Sequence, residues 1–242
     1  MKELNLKISI SHLFSNLLNE ESGNLLVLKK RCEWRGIEVE FNEVNSIEEF
    51  VQSDIYFVGN GSEAQLKEVA KTLDNYKEKL IAERDNGTVF LGVGFGYNIL
   101  GNSINFDSSN FINGLSLLDV DSEKMEKRFV GNVTAENDFL EEKTFVGFEN
   151  HNIVSFLQDE TKPLLTVSIG KGNNGQDKTE GARFKNVFGT NLHGPILAIN
   201  PHFADYLISL ALEKRYGKKI ELSKLDDDFE IKAHDILVNK VY

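Results

Sequence analysis

The stretch FLGVGFGYNILG at residues 90–101 is where the residue types and their spacing most clearly suggest chemistry. An apolar segment runs into three glycines at alternate positions, Gly92, Gly94 and Gly96, and then into what reads as the first turn of a helix. Such a turn can let a pyrophosphate approach a helix N-terminus. It can also be a plain tight connection that needs positive φ, or a nucleophile elbow that lifts one reactive side chain above a sheet.

The dinucleotide-binding alternative fits the surrounding sequence least well. Its fingerprint follows the first strand of its unit and needs an acidic residue about 20 positions later. Here the turn follows roughly the fourth predicted strand, and Asp107 lies too close. The plain turn explains Gly92 and Gly96 and stays open, although three glycines in five positions are more than it needs. The elbow is the best match, but Gly94 at its apex has no side chain that can attack.

Alternating strand and helix patterns precede the glycine turn. The segments at 37–44, 54–59 and 88–93, with LNLKISI before them, have the alternating or continuous apolar character of strands. Helical segments of ordinary length separate them, which predicts βαβ units and a mainly parallel sheet. The second half is richer in strands, with glycine-punctuated runs at 128–135, 144–151, 164–172 and 186–194. The sequence therefore predicts a single α/β domain over residues 1–242.

Three helices carry clear signals. In the first, Leu25, Leu28 and Cys32 share a face and Gly36 ends the segment. Ser62 and Gln65 form a capping box before the second, whose apolar face consists of Leu66, Val69, Leu73 and Leu80. Asn200 and Pro201 open the third, which ends before Gly217. From about residue 222 the chain is a charged tail that could still dock through Phe229, Ile236 and Leu237.

Composition excludes several classes of protein. A formal charge of -11 disfavours nucleic acid or an anionic membrane surface as the main partner. One cysteine excludes an internal disulfide framework and a cysteine-based zinc site, and no metal site is predicted. Neither a secretory signal nor a long apolar run is present, so we expect a cytoplasmic protein without a membrane span.

At the glycine turn the chain resembles the cobyric acid synthase-like (CobB/CobQ-type) class I glutamine amidotransferases. That family reads Cys-Gly-Gly-Tyr-Gln-Leu-Leu-Gly where this chain has residues 94–101. Other segments match in order, namely SGNLLVLKKRCEWRGI, FVGNGSEAQ, VGFENH, GKGNN and, most specifically, FKNVFGTNLHGPIL. Within the family the chain is most similar to the GatD branch, the glutaminase subunits of lipid II isoglutaminyl synthase. The resemblance implies a flavodoxin-like three-layer α/β fold with a mainly parallel central sheet flanked by helices.

The resemblance also assigns roles to residues of this sequence. Gly94 stands at the position of the family's nucleophilic cysteine, and His193 is the counterpart of its catalytic histidine. Arg128 matches an arginine that holds the carboxylate of the substrate glutamine, and Asn60 and Gly61 fall in the loop that contributes an oxyanion hole. Phe95 and Asn98 depart from the family's Gly and Gln. The family's acid shortly after the histidine is absent, as expected for the GatD branch, where a Mur-ligase-like (MurT-like) partner supplies it.

Glutamine hydrolysis in this family needs a thiolate, a histidine and backbone N–H groups for the oxyanion. Cys32 cannot replace the missing thiol because its helical spacing marks it as a core residue. Ser62 is better explained as a helix cap, and Thr190 shows no elbow. We therefore expect a glutaminase-deficient chain without a cofactor of its own, in a heterodimer whose ligase subunit binds ATP and Mg²⁺.

Other interpretations remain open at the level of sequence. His193 before Gly-Pro is more often hydrogen-bonded scaffolding than a catalyst, and Arg128 is commonly a solvated or paired surface charge. The chain could also be a non-catalytic module that binds glutamine or a related amino acid through Arg128. A nucleotide-binding domain is the weaker third alternative.

Overall fold

The computed structural model describes residues 5–239. Within them, a six-stranded sheet runs in the order β11-β12-β4-β3-β1-β2, and all of its pairings are parallel except that of β11 with β12. The strands of this sheet are β1 (Lys7–Leu13), β2 (Glu38–Val44), β3 (Ile55–Val58), β4 (Val89–Val93), β11 (Ala182–Phe184) and β12 (Val187–Thr190). The four strands predicted in the first half of the chain are confirmed.

Helices cover both faces of the parallel sheet. The described residues form α1 (Gly23–Glu33), α2 (Glu63–Ala70), α3 (Leu73–Asp85), α4 (Phe95–Leu100), α5 (Ile196–Ile199), α6 (Pro201–Tyr216) and α7 (Asp228–Asn239), with a short 3-10 helix at Ile47–Glu49. Along β4, Leu91 packs with α1 and α6 while its neighbour Phe90 packs with α2 and α3. This alternation puts a hydrophobic core on each face. The predicted three-layer α/β architecture is confirmed.

The strand-rich second half builds a separate, mainly antiparallel sheet that the sequence does not predict as such. Its order is β10-β9-β7-β5-β6, and β8 pairs with both β7 and β13. The strands are β5 (Ser103–Asp107), β6 (Asn110–Asn113), β7 (Val120–Glu136), β8 (Thr144–Leu157), β9 (Leu165–Ile169), β10 (Thr179–Glu180) and β13 (Leu192–His193). Val133 and Phe145 of this sheet lie in the same core cluster as α1 and α6. The two sheets therefore share one core.

The predicted helix starts are confirmed, with one difference in the middle. The Ser62 hydroxyl accepts a hydrogen bond from the Gln65 N–H and the Gln65 side chain accepts one from the Ser62 N–H, so the capping box forms. The helix predicted from Leu66 to Leu80 is two helices, because α2 ends at Ala70 and α3 starts at Leu73. The Thr72 N–H and hydroxyl both donate to the Val69 carbonyl, which closes α2 at this point.

The charged tail docks, and of the three apolar residues expected to take part only Leu237 is partly buried. Phe229 is 84% exposed and Ile236 is 58% exposed, so the idea that they pack on the core is wrong. Polar contacts hold the tail instead. The Arg31 guanidinium, which is 2% exposed, donates to both carboxylate oxygens of Asp205 and of Asp227 at 2.6–2.9 Å. His234 is buried and its Nε2 lies 2.7 Å from Thr144 Oγ1.

Across residues 5–239, none of the helices has the length and apolar character needed to cross a bilayer.

Candidate active site

The glycine turn has the geometry of an elbow. Gly94 lies between the end of β4 and the start of α4, with φ +59° and ψ −121°. Of the three glycines, only Gly94 has positive φ. The plain-turn interpretation explained Gly92 and Gly96 by a need for positive φ, and that explanation is wrong. A Cβ on Gly96 would come 2.1 Å from the Val58 carbonyl oxygen, and one on Gly92 would come 2.7 Å from that of Gly96. Those two positions need glycine because backbones approach closely there.

Asn60 reaches into the elbow. Its Oδ1 accepts a hydrogen bond from the Phe95 N–H at 3.0 Å, and its Nδ2 donates to Glu20 Oε2 at 2.9 Å. A Cβ placed on Gly94 would lie 2.6 Å from Asn60 Oδ1. The loop residue predicted to help form an oxyanion hole therefore places its own amide beside the apex of the turn.

His193 lies across the pocket and is paired with an acid. Its Nδ1 is 3.0 Å from Glu21 Oε1, and both side chains are 14% exposed. Glu21 lies two residues before α1 in a backbone conformation with φ +68°, and Gly23 at the start of α1 packs against Pro195. This contact between α1 and the His-Gly-Pro segment brings together residues 172 positions apart. The arrangement can orient an imidazole for proton transfer.

Arg128 reaches the pocket from an irregular part of β7. The antiparallel pairing with β8 is interrupted between Lys124 and Phe129, and such bulges re-aim side chains. The Arg128 Nη1 donates to the carbonyl and to Oδ1 of Asn150, at 2.9 and 3.0 Å. The guanidinium thus remains exposed at the rim of the pocket, where it can also meet an anionic group.

All five residues predicted from the sequence line one cavity. The cavity has a volume of about 80 Å³ and its wall contains Gly94, Asn60, Gly61, His193 and Arg128 together with Phe95, Asn98, Asn150, His151, Asn152, Ile153 and Asn191. Asn98, which replaces the family's glutamine, is buried and its Nδ2 donates to Ser122 Oγ and Ser155 Oγ.

Two further residues of the wall, His151 and Asn191, each carry a buried polar atom without a partner in the described residues. His151 Nδ1 lies 2.7 Å from the Ile153 carbonyl oxygen and so carries the proton, which leaves Nε2 as an acceptor. Burial lowers the pKa of His151 to about 4, so the ring is neutral near pH 7. Asn191 Nδ2 is a donor with no partner within residues 5–239. Both residues belong to the wall of the cavity.

A buried glutamate, Glu180, forms hydrogen bonds to residues 190–191, the segment that lies beside Gly94 and leads to His193. Glu180 accepts hydrogen bonds from Thr190 Oγ1 at 3.0 Å and from the Asn191 N–H at 2.8 Å. The Thr190 carbonyl in turn accepts from the Gly94 N–H at 2.9 Å. Burial raises the pKa of Glu180 to about 7, and the nearby Glu149 carboxylate acts in the same direction.

Among the described residues, no alternative nucleophile lies at the elbow. Cys32 is fully buried in the core between α1 and the sheet, and burial raises the pKa of its thiol to about 12. Ser62 Oγ is used by the capping box and Thr190 Oγ1 by Glu180, as described above. Across residues 5–239, no cluster of three or more His, Cys, Asp or Glu side chains could hold a metal ion.

Comparisons with known proteins agree with this fold. The model of the CobB/CobQ-like glutamine amidotransferase domain matches residues 9–201. The GatD subunit of lipid II isoglutaminyl synthase (glutamine-hydrolyzing) from Staphylococcus aureus is 34% identical over 238 residues, covering 97% of this chain and 96% of that protein. Its counterpart from Streptococcus pneumoniae is 35% identical over 226 residues, covering 91% and 86%.

A solved glutamine amidotransferase structure shares the fold, with a TM-score of 0.59 at 18% identity, and covers 84% of this chain and 98% of that one. On the family match and on the two GatD relatives, this chain belongs to the CobB/CobQ-like glutamine amidotransferase family.

Proposed function

We propose that this chain is a GatD-like subunit of a lipid II isoglutaminyl synthase, acting in the cytoplasm in amidation of the α-carboxyl of the D-glutamate in lipid II. What supports the proposal is the similarity to two GatD subunits along nearly the whole chain. The partner is a Mur-ligase-like (MurT-like) subunit that binds ATP and Mg²⁺, and this chain needs no cofactor of its own.

The glutaminase step is absent from this subunit. In an intact centre a thiolate attacks the side-chain amide of glutamine, a histidine moves the protons, and N–H donors hold the oxyanion. Gly94 supplies no sulfur. Loss of the nucleophile of an acyl-transfer unit removes about six powers of ten in rate. The single observation that carries this proposal is the bare α-carbon at the apex of the elbow, in a pocket that contains His193 and its acidic partner.

The test is glutamate release from glutamine by the purified chain, alone and co-expressed with a Mur-ligase-like subunit. We expect release at the rate of a buffer blank in both samples, and co-purification of the two subunits. A matched His193→Ala variant should give the same rate as the natural chain. Enzyme-like turnover that His193→Ala abolishes would overturn the deficiency, and failure to co-purify would count against the heterodimer.

A second candidate function is a non-catalytic module that binds an amino acid. The observation that favours it is the pair of buried atoms without a partner in the described residues, His151 Nε2 and Asn191 Nδ2, in the same cavity as Arg128. An ammonium group can donate to the first, and a carboxylate can accept from the second and pair with the guanidinium. Calorimetry with millimolar glutamine and related amino acids tests it, with Arg128→Ala as the control. No detectable heat with the natural chain rejects it.

A further inference from the structure

The space in front of Gly94 is filled by the Asn60 side chain. A Cβ on Gly94 would come 2.6 Å from Asn60 Oδ1, 2.8 Å from its Cγ and 3.2 Å from its Cβ. The first two distances are too short for real non-bonded atoms, so a side chain at position 94 and the present Asn60 rotamer exclude each other. The contact lies with a side chain and not with the backbone, so the overlap depends on residue 60.

The Asn60 amide has one orientation in this place. A backbone N–H can only donate and a carboxylate can only accept, so the oxygen must face Phe95 and the nitrogen must face Glu20. The backbone is fixed as well, because the Asn60 N–H donates to the Glu20 carbonyl at 3.1 Å and the Glu20 N–H donates to the Asn60 carbonyl at 3.0 Å. Asn60 is therefore held by both its main chain and its side chain.

The hydrogen bond from the Phe95 N–H to Asn60 Oδ1 occupies the donor that is most important in a nucleophile elbow. In such turns the N–H of the residue after the nucleophile is part of the oxyanion hole. Here that N–H already has an acceptor, and the acceptor is the oxygen of a carboxamide, which is the same group that a glutamine side chain would present.

We propose that the Asn60 carboxamide is a built-in occupant of the amide-binding end of this pocket, and that Gly94 and Asn60 form a matched pair, in which the Asn60 side chain can take this position only because residue 94 has no side chain. The inference rests on the function proposed above insofar as it takes Gly94 to stand at a nucleophile position. It goes further because it names the two residues, Gly94 and Asn60, that keep the amide-binding end of the pocket occupied. Restoring a side chain at position 94 then requires removing the one at position 60.

A double-mutant cycle on thermal stability tests the pair without any need for activity. We expect Gly94→Ala to lower Tm by at least about 6 °C in the natural chain and by about half as much in an Asn60→Gly background, since the backbone strain at positive φ remains while the overlap is gone. Asn186→Gly is the matched control background, because Asn186 also bonds through its amide, to the Gly87 carbonyl at 2.8 Å, but does not approach Gly94.

The outcomes separate cleanly. A smaller loss in the Asn60→Gly background than in the natural and Asn186→Gly backgrounds supports the pair, and so does a Gly94→Ala chain that folds only when the Asn60 side chain is removed. Losses that add within about 1 °C, or failure to fold in every background, overturn it. Hydrogen exchange at the Phe95 amide is the second measurement, and we expect it to be at least about tenfold faster in Asn60→Gly.

These results do not depend on the proposed function. Glutamate release by the natural chain would overturn the glutaminase deficiency while leaving the stability cycle to be judged on its own. Additive losses would overturn the pair while leaving the chain without a nucleophile.

Discussion

The two sides of the pocket differ in what they retain. On one side His193 is oriented by Glu21 at 3.0 Å, as a proton-transferring imidazole requires. On the other side the turn keeps the backbone of an elbow, with φ +59° at Gly94, but has no attacking atom, and Asn60 fills the space. On the imidazole side, His193 has an orienting acid within this chain. On the nucleophile side, the Asn60 side chain fills the space in front of Gly94.

The groups around the turn are in place although position 94 has no side chain. The strand that joins the two sides is still tied to Glu180, and Arg128 still reaches the rim. The elbow conformation is present without a side chain at position 94, and at the same turn the backbone of Gly96 approaches Val58 closely. A centre of this kind is expected to be reopened by few substitutions.

The largest expected effect comes from reopening the nucleophile side. We expect Gly94→Cys/Asn60→Gly to release glutamate at least about a thousandfold faster than the natural chain, while Gly94→Cys alone stays within about tenfold of it. The measurement is glutamate formed at saturating glutamine. Adding His193→Ala to the double variant should return the rate to background. A triple variant as active as the double would show that the imidazole side is not the working half.

Substitutions of the two adjacent glutamates, Glu20 and Glu21, test the two sides separately in the Gly94→Cys/Asn60→Gly variant. Glu21→Gln should lower its turnover about a hundredfold because the imidazole loses its orienting carboxylate. Glu20→Gln is the matched control, since the Glu20 side chain does not contact the imidazole and its partner in the natural chain, Asn60, is already glycine in this variant. We expect a change of less than about twofold. Equal losses from both substitutions, read as kcat in parallel assays, would contradict the division between the two sides.

A pH-dependent effect of intermediate size is expected at Glu180, on the strand between the two sides. Its pKa of about 7 in the folded chain lies above the ordinary carboxyl value, so the stabilisation from its proton is complete below about pH 4.5 and is lost as pH rises through 7. We expect this residue to lose about 2 kcal/mol of folding free energy between pH 5 and pH 8. Urea unfolding at both pH values should show a flatter dependence for Glu180→Gln, and parallel curves would refute the assignment.

The smallest expected effect is at the Asn60 side chain itself. Asn60→Asp removes the donor to Glu20 and sets two carboxylates side by side, which should lower the free energy of unfolding by about 1 kcal/mol at pH 8. Adding Glu20→Gln should restore most of the loss at pH 8, and no recovery would mean that the two side chains are not in contact.

Local features of this site are predictable from the sequence, and contacts between distant segments are not. Gly94 at an elbow and Ser62 at a capping box follow from short stretches, because a strand-to-helix turn and a helix N-terminus are local structures. The partner of His193 is 172 positions away, and nothing in the spacing around Glu21 points to it. The sequence places Asn60 in the right loop, but the direction of its amide depends on Glu20 and Phe95 together.

The second sheet shows a similar boundary. The sequence predicts its runs as short strands, whereas β7 and β8 form one long antiparallel pair from Val120 to Leu157. The interrupted pairing near Arg128 breaks the alternation of apolar and polar residues, so the pattern reads as separate pieces. The tail docks as predicted, but Phe229 and Ile236 remain exposed, and Asp227 provides an attachment through its hydrogen bonds with Arg31.

The hydrogen bonds of Arg31 show that the C-terminal tail contributes to the stability of the fold. The Arg31 guanidinium is shared between Asp205 on α6 and Asp227 just before α7, and it has almost no access to water. Cutting the chain upstream of Asp227 would strip half of the countercharge from a buried cation, a change that generally costs about 3–5 kcal/mol. The segment that carries Asp227 is thus needed for the stability of the fold. A shortened form of this protein, designed for crystallisation or fusion, should therefore end after α7.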